Sequence, residues 1–145
     1  MHEAIRVGRL SVTFVKCAYE THNSLDLFEM TIAPGGSGLI PHMHADYDEI
    51  VFGMNGVVTW TVAGKEIMVA HGDKLSIPRG TPHFFINQQD APARLMFLHT
   101  PGLMGPKYFR DMMKCVDAEG TPDLDCVFAT MMSYGITPLM HAPSV

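Results

Sequence analysis

The sequence predicts an all-β domain, a sandwich or barrel of short strands, with a short C-terminal helical tail. Three observations carry this. Short runs of β-formers recur at close spacing over residues 10–100. Tight-turn signals, Asn55-Gly56 and Ala63-Gly64-Lys65, sit between several of them. Beyond Pro101 the apolar period lengthens from two residues to that of a helix.

Each element follows from its residues. LDLFEMTIA alternates from Leu25 to Ala33, with Leu25, Leu27 and Glu29 on one face and Phe28, Met30 and Ile32 on the other. EIVFGM and VVTWTV flank Asn55-Gly56, which reads as a two-residue hairpin. A second hairpin is expected over Ala63-Gly64-Lys65, and DKLSIP, HFFIN and ARLMFLHT continue the strand pattern. In the tail, Pro106 suits a first helical position, with Tyr108, Phe109, Met112 and Met113 on one face. A second helix is expected with Thr121 as N-cap, Pro122 at its first turn and Asp123 and Asp125 at the positive end of its dipole. Leu124, Val127, Phe128 and Met131 form its apolar stripe, and Gly135 stops it. The tail is expected to pack outside the barrel, where it could close one mouth.

The 145 residues suffice for one domain, with the barrel at about 10–100 and the tail at about 105–135. A core of this size needs no disulfide. Hydrophobic residues make up 47% and charged residues only 17%, which leaves little charge to cover the outside. Part of the surface is therefore expected to be buried in a homodimer. The net charge of −5 comes with no basic stripe, which argues against nucleic acid and anionic membranes as partners. No apolar run approaches the length of a bilayer span, and MHEAIRVGRLSV has no secretory apolar region, so a cytoplasmic protein is expected. Cys17, Cys115 and Cys126 form no CxxC pair and are read as three free thiols in a reducing compartment. The twelve methionines read as soft core filler.

The chemistry lies in GLIPHMHADYDEIVFGMNG and GDKLSIPRGTPHFFIN. Side chains two apart on a strand share a face, so His42 and His44 can reach one point. Glu49 follows at the start of a strand, with Asp46 and Asp48 as alternatives if the loop bends differently. Pro78, Gly80 and Pro82 build a bend that sets His83 at a strand start. Three imidazoles and one carboxylate suit a divalent first-row ion, with two positions left for water, oxygen or substrate. Neutral imidazoles are required, so affinity should fall as pH drops through roughly 6. Asn87 shares a face with His83 and is expected to brace backbone. His99 reads as a core or capping residue, with an acid–base role beside the metal ligands as the alternative, and His2, His22, His71 and His141 read as surface. Trp60, Phe85 and Phe97 are expected in the barrel core, where some also line the pocket.

These stretches resemble the two motifs of the cupins. The first is a glycine, five residues, His-x-His, four residues, Glu, six residues and Gly, here Gly36, His42, His44, Glu49 and Gly56. The second is a glycine, five residues, Pro-x-Gly, two residues, His, three residues and Asn, here Gly72, Pro78, Gly80, His83 and Asn87. The resemblance implies a small jelly-roll barrel with one divalent transition metal inside (iron, nickel, manganese, zinc or copper), held by His42, His44, Glu49 and His83. HTPGLMGPKYFRDM and YGITPL are similar to the tail of small quercetinase-like cupins, with Leu103-Met104-Gly105 where many of those have an aromatic-acidic pair. The implied function is a metal-dependent dioxygenase acting on a small oxygenated substrate, with an aromatic, flavonol-like compound as the narrower reading and Glu49 as the proton acceptor. The alternatives are a non-redox isomerase, cyclase or lyase using the same ion, and a small-molecule-binding cupin without turnover.

Overall fold

A computed structural model describes residues 2–139. Two antiparallel sheets face each other. The first has six strands in the order β1-β2-β3-β10-β5-β8 and the second five in the order β11-β4-β9-β6-β7. In chain order the strands are β1 (Ile5–Val7), β2 (Leu10–Lys16), β3 (Asp26–Ile32), β4 (His42–His44), β5 (Asp48–Asn55), β6 (Val57–Val62), β7 (Lys65–Ala70), β8 (Lys74–Ile77), β9 (His83–Ile86), β10 (Ala93–Thr100) and β11 (Ile136–Pro138). Helices α1 (Gly105–Met113) and α2 (Leu124–Ser133) lie between β10 and β11. From β3 onward each strand passes to the other sheet except at the β6–β7 hairpin, which is the jelly-roll pattern.

The alternation on β3 falls as its residues require: Phe28, Met30 and Ile32 are buried and Thr31 is exposed. Phe14, Phe28 and Phe97 from the first sheet meet Trp60 and Phe85 from the second in one apolar core. Asp26 is the exception on the inward face of β3. Its buried carboxylate accepts hydrogen bonds from the backbone N–H groups of Ala18 (2.9 Å), Met104 (3.2 Å) and Gly105 (3.0 Å). It thereby ties the start of α1 to the barrel.

Asn55-Gly56 is not a hairpin. β5 belongs to the first sheet and β6 to the second, so this turn carries the chain between sheets. The positive φ of 71° at Gly56 is real, and an added Cβ would lie 3.0 Å from the Ala93 backbone. A local turn signal fixes this conformation but not which strands pair afterwards. Ala63-Gly64 does close a hairpin: Val62 pairs with Lys65, and both loop residues have positive φ.

The tail differs from expectation in three places. α2 is capped by Asp123, whose carboxylate accepts from the Cys126 N–H at 3.3 Å, and not by Thr121. Met113 and Leu124 point outward, at 44% and 48% exposure, while Tyr108, Phe109, Met112, Val127 and Met131 are buried. After Gly135, with its φ of 74°, the chain rejoins the barrel, and β11 pairs with β4. The tail therefore contributes a strand as well as an outer layer.

Two of the three cysteines are not free. Cys115 and Cys126 form a disulfide with a Cα–Cα separation of 5.3 Å, and only Cys17 is a free thiol, buried. The α1–α2 connection folds back on itself: Val116 pairs with Pro122, and the Asp123 N–H donates to the Cys115 carbonyl at 2.7 Å. That brings together two sulfurs eleven positions apart, which sequence spacing does not reveal. It also removes the cysteine argument for a reducing compartment. No helix among the described residues is long and apolar enough to cross a membrane.

Candidate metal centre

β4 carries His42 and His44, and β9 opens with His83, which pairs directly with His42. Each imidazole is held by its Nδ1. His42 donates to the Ile40 carbonyl (2.9 Å), His44 to that of Tyr47 (3.1 Å) and His83 to that of Thr81 (2.8 Å). A proton on Nδ1 leaves a lone pair on Nε2, the tautomer suited to a metal. The three rings offer ligand atoms within 4.8 Å of one another.

Glu49 enters from β5 in the opposite sheet. Its Oε1 lies 3.5 Å from His44 Nε2 and its Oε2 4.0 Å from His83 Nε2. These separations are longer than hydrogen bonds but suit neighbouring donors around one cation. The alternatives at the loop fall away. Asp46 is exposed, and Asp48 accepts from the Arg79 backbone N–H (3.0 Å) and Nε (3.3 Å).

Burial sets the protonation states. It pushes the His42 pKa down to about 3, helped by the neighbouring His83. It pushes that of His83 down as well, against the opposing pull of Glu49. At Glu49 burial pushes upward. The ring nitrogens of His44 and His99 turned toward the carboxylate, the latter as a donor at 2.6 Å, outweigh it and hold the carboxyl well below its ordinary range. At neutral pH His42 and His83 are neutral imidazoles beside a buried carboxylate, an arrangement that could accept a cation.

The metal-free protein should lose stability in acid. The unfolded chain takes a proton on His42 near 6.5, and the folded chain only near 3. The unfolded state therefore binds more protons across that window, and stability falls as pH drops through it. Above about 6.5 the group adds no pH dependence. The urea midpoint of metal-free protein should be lower at pH 5 than at pH 7. A midpoint that stays level or rises would contradict the burial of His42. The free-imidazole value near 6 thus does not describe this ring.

Four buried side-chain nitrogens among the described residues have no hydrogen-bond partner: His44 Nε2, His83 Nε2, Trp60 Nε1 and His99 Nδ1. All four residues line one cavity between the sheets, which holds about 590 Å³ of atom-free space including its open mouth. Its other walls are mainly apolar and aromatic, with Phe28, Phe85 and Phe97 from the barrel and Tyr108, Phe109 and Met112 from α1. The helical tail thus supplies part of the cavity wall through α1.

The sequence reading of His99 as a core histidine holds, since the residue is buried, but its partner is not legible there. Its Nε2 donates to Glu49 Oε1 at 2.6 Å, across the β10–β5 register that pairs the two residues. A signal existed: Ala93, Leu95, Phe97 and His99 share the inward face of β10, so a polar residue stands in an apolar row. Asn87 braces backbone as expected, donating to the Ile32 and Ala91 carbonyls at 2.9 Å and accepting from the Gln89 N–H. His22 and His71 are exposed. His2 is not a lone surface residue: it meets Glu20 at 2.7 Å beside Cys17, where the polar atoms already pair with one another. His141 lies outside the described residues.

Comparison with known proteins places this geometry. Residues 28–99 match the Cupin_2 family, the cupin domain. A stretch of 62 residues, 41% of the chain, is 37% identical to quercetin 2,3-dioxygenase of Bacillus subtilis (strain 168) and spans only 18% of that protein. A predicted oxalate decarboxylase from Thermotoga maritima superposes with a TM-score of 0.62 at 20% identity, over 68% of this chain and 90% of that one. The polyketide cyclase RemF from Streptomyces resistomycificus gives a TM-score of 0.59 at 21% identity, over 68% and 73%. Strand order, motif positions, family match and fold likeness agree: the chain belongs to the cupin superfamily.

Proposed function

We propose that this cupin is a metal-dependent enzyme, a dioxygenase acting on a small oxygenated compound with an aromatic, flavonol-like framework. The observation that carries the reading is the gathering of four unpartnered buried nitrogens in one aromatic cavity. Groups left bare at that depth are costly unless a ligand meets them.

His42, His44 and His83 would hold one divalent transition ion through Nε2, with Glu49 completing the set. When bound, such an ion supplies Lewis acidity and, for a redox-active metal, one-electron chemistry. The remaining work falls to the chain. Phe28, Phe85, Phe97 and Trp60 exclude water and receive a flat ring. Glu49, held anionic, is placed to take a proton from a bound substrate at a carboxylate oxygen. His99 Nε2 fixes which oxygen remains free. The dioxygenase step is supported by the partial likeness to quercetin 2,3-dioxygenase. The Glu49–His99 pair also favours a second reading, a non-redox isomerase or cyclase, because proton removal needs no oxidant. A homodimer remains the proposed assembly, and the outward Leu103, Leu124 and Met132 give it apolar surface to bury.

Elemental analysis combined with an oxygen electrode tests the proposal. Iron, nickel, manganese or copper near one per chain, with oxygen uptake on adding quercetin, is the expected result. Zinc with turnover but no oxygen uptake selects the second reading. Purified and reconstituted protein that holds no transition metal overturns both.

A further inference from the structure

We propose that His99 Nδ1 is the acceptor for a substrate hydroxyl, so that the cavity selects a hydroxylated ring over its methyl ether. This rests on the proposed function only in taking the cavity as the substrate site.

The two nitrogens of the His99 ring differ in what they meet. Nε2 lies 2.6 Å from Glu49 Oε1, and a carboxylate oxygen can only accept, so Nε2 carries the hydrogen. In the neutral imidazole Nδ1 is then a bare lone pair. It is buried, and it has no partner among the described residues. Its surroundings offer no internal donor. Phe28 meets the ring edge-on at 5.1 Å, and Tyr47 lies over it at 4.5 Å with its hydroxyl turned to the Met104 sulfur. The ring centre is 5.7 Å from that of His44, and both rings line the same cavity.

A bound O–H would satisfy the acceptor, whereas a methoxy group would leave it bare. A hydrogen bond of this kind changes affinity roughly five- to tenfold. The other orphan atoms do not duplicate the role. His44 and His83 Nε2 are the proposed ligand atoms, and Trp60 Nε1 can only donate.

A substitution cycle with phenol and anisole as probes tests this by calorimetry on zinc-loaded protein. Wild type should prefer phenol over anisole. His99→Gln keeps a donor to Glu49 but removes the Nδ1 acceptor, and should reduce that preference by roughly five- to tenfold. His99→Asn, which can set an oxygen near the Nδ1 position, should restore much of it. Either variant alone keeps the cycle readable if the other fails to fold. A preference unchanged within about twofold in His99→Gln, or wild-type protein that binds neither probe, overturns the proposal. Repeating the cycle without metal while recording zinc content separates the two ideas. Failure to load zinc would count against the metal reading and leave the hydroxyl preference measurable.

Discussion

Replacing His83 with alanine is expected to strip the divalent ion, lowering its content from about one per chain to near zero and the affinity more than about 100-fold. His83 is the ring best placed to show this. It pairs with His42 across β4 and β9, its Nδ1 is tied to Thr81, and its Nε2 is buried without a partner. His42→Ala should behave alike, since its Nδ1 is anchored to Ile40 in the same way. His71→Ala, on an exposed turn, should retain full metal. Elemental analysis after dialysis reads all three. Metal retained after loss of either strand histidine would sink the assignment. Stability should follow occupancy: an ion present at 100 times its dissociation constant adds about 2.7 kcal/mol.

Phe28→Ala is expected to remove about 3–5 kcal/mol of stability. The ring is almost wholly buried, stacked on Phe97 at 5.0 Å and 5° and tilted against Phe14 at 4.9 Å. It also meets Phe109 of α1 at 5.3 Å, so one side chain joins barrel, cavity wall and tail. A domain of this kind has roughly 5–15 kcal/mol in total, and the loss would take a large share of it. Urea unfolding should show a clearly lower midpoint with little change in slope. A shift below about 1 kcal/mol would mean that the neighbouring rings close the gap without cost.

Most of the candidate site is legible in the amino-acid sequence because it rests on short-range patterns. His42, His44 and His83 are readable because strand alternation and a Pro-Gly bend are local rules, and local rules place side chains on faces. Glu49 needs one thing more, that Asp46 and Asp48 turn outward, and the Arg79 contact that draws Asp48 away is set by the fold. The rest depends on contacts distant in sequence. Asn55-Gly56 announces a turn, yet whether the next strand folds back or crosses to the other sheet depends on β8, β9 and β10 competing for neighbours. His99 meets Glu49 only because β10 lies beside β5 in a register that sets the two opposite each other. The Cys115–Cys126 bond follows from the path of a connection whose backbone pairs with itself. Asp26 is hidden for a similar reason, since its three backbone partners come from two segments far apart in the chain.

The pairing of β11 with β4 bears on when the site can take shape during synthesis. Ile136 and Pro138 lie opposite His44 and His42, and Leu139 N–H closes onto the Pro41 carbonyl. The ribosome must therefore deliver a segment more than ninety positions downstream before that edge of the histidine strand is covered. Until then β4, three residues long, is held by the single bridge to β9 and by the Gly80 N–H on the His44 carbonyl. Contacts of such long reach form late, so a nascent chain would hold its three imidazoles loosely, and the proposed ion site would be completed as one of its last folding events.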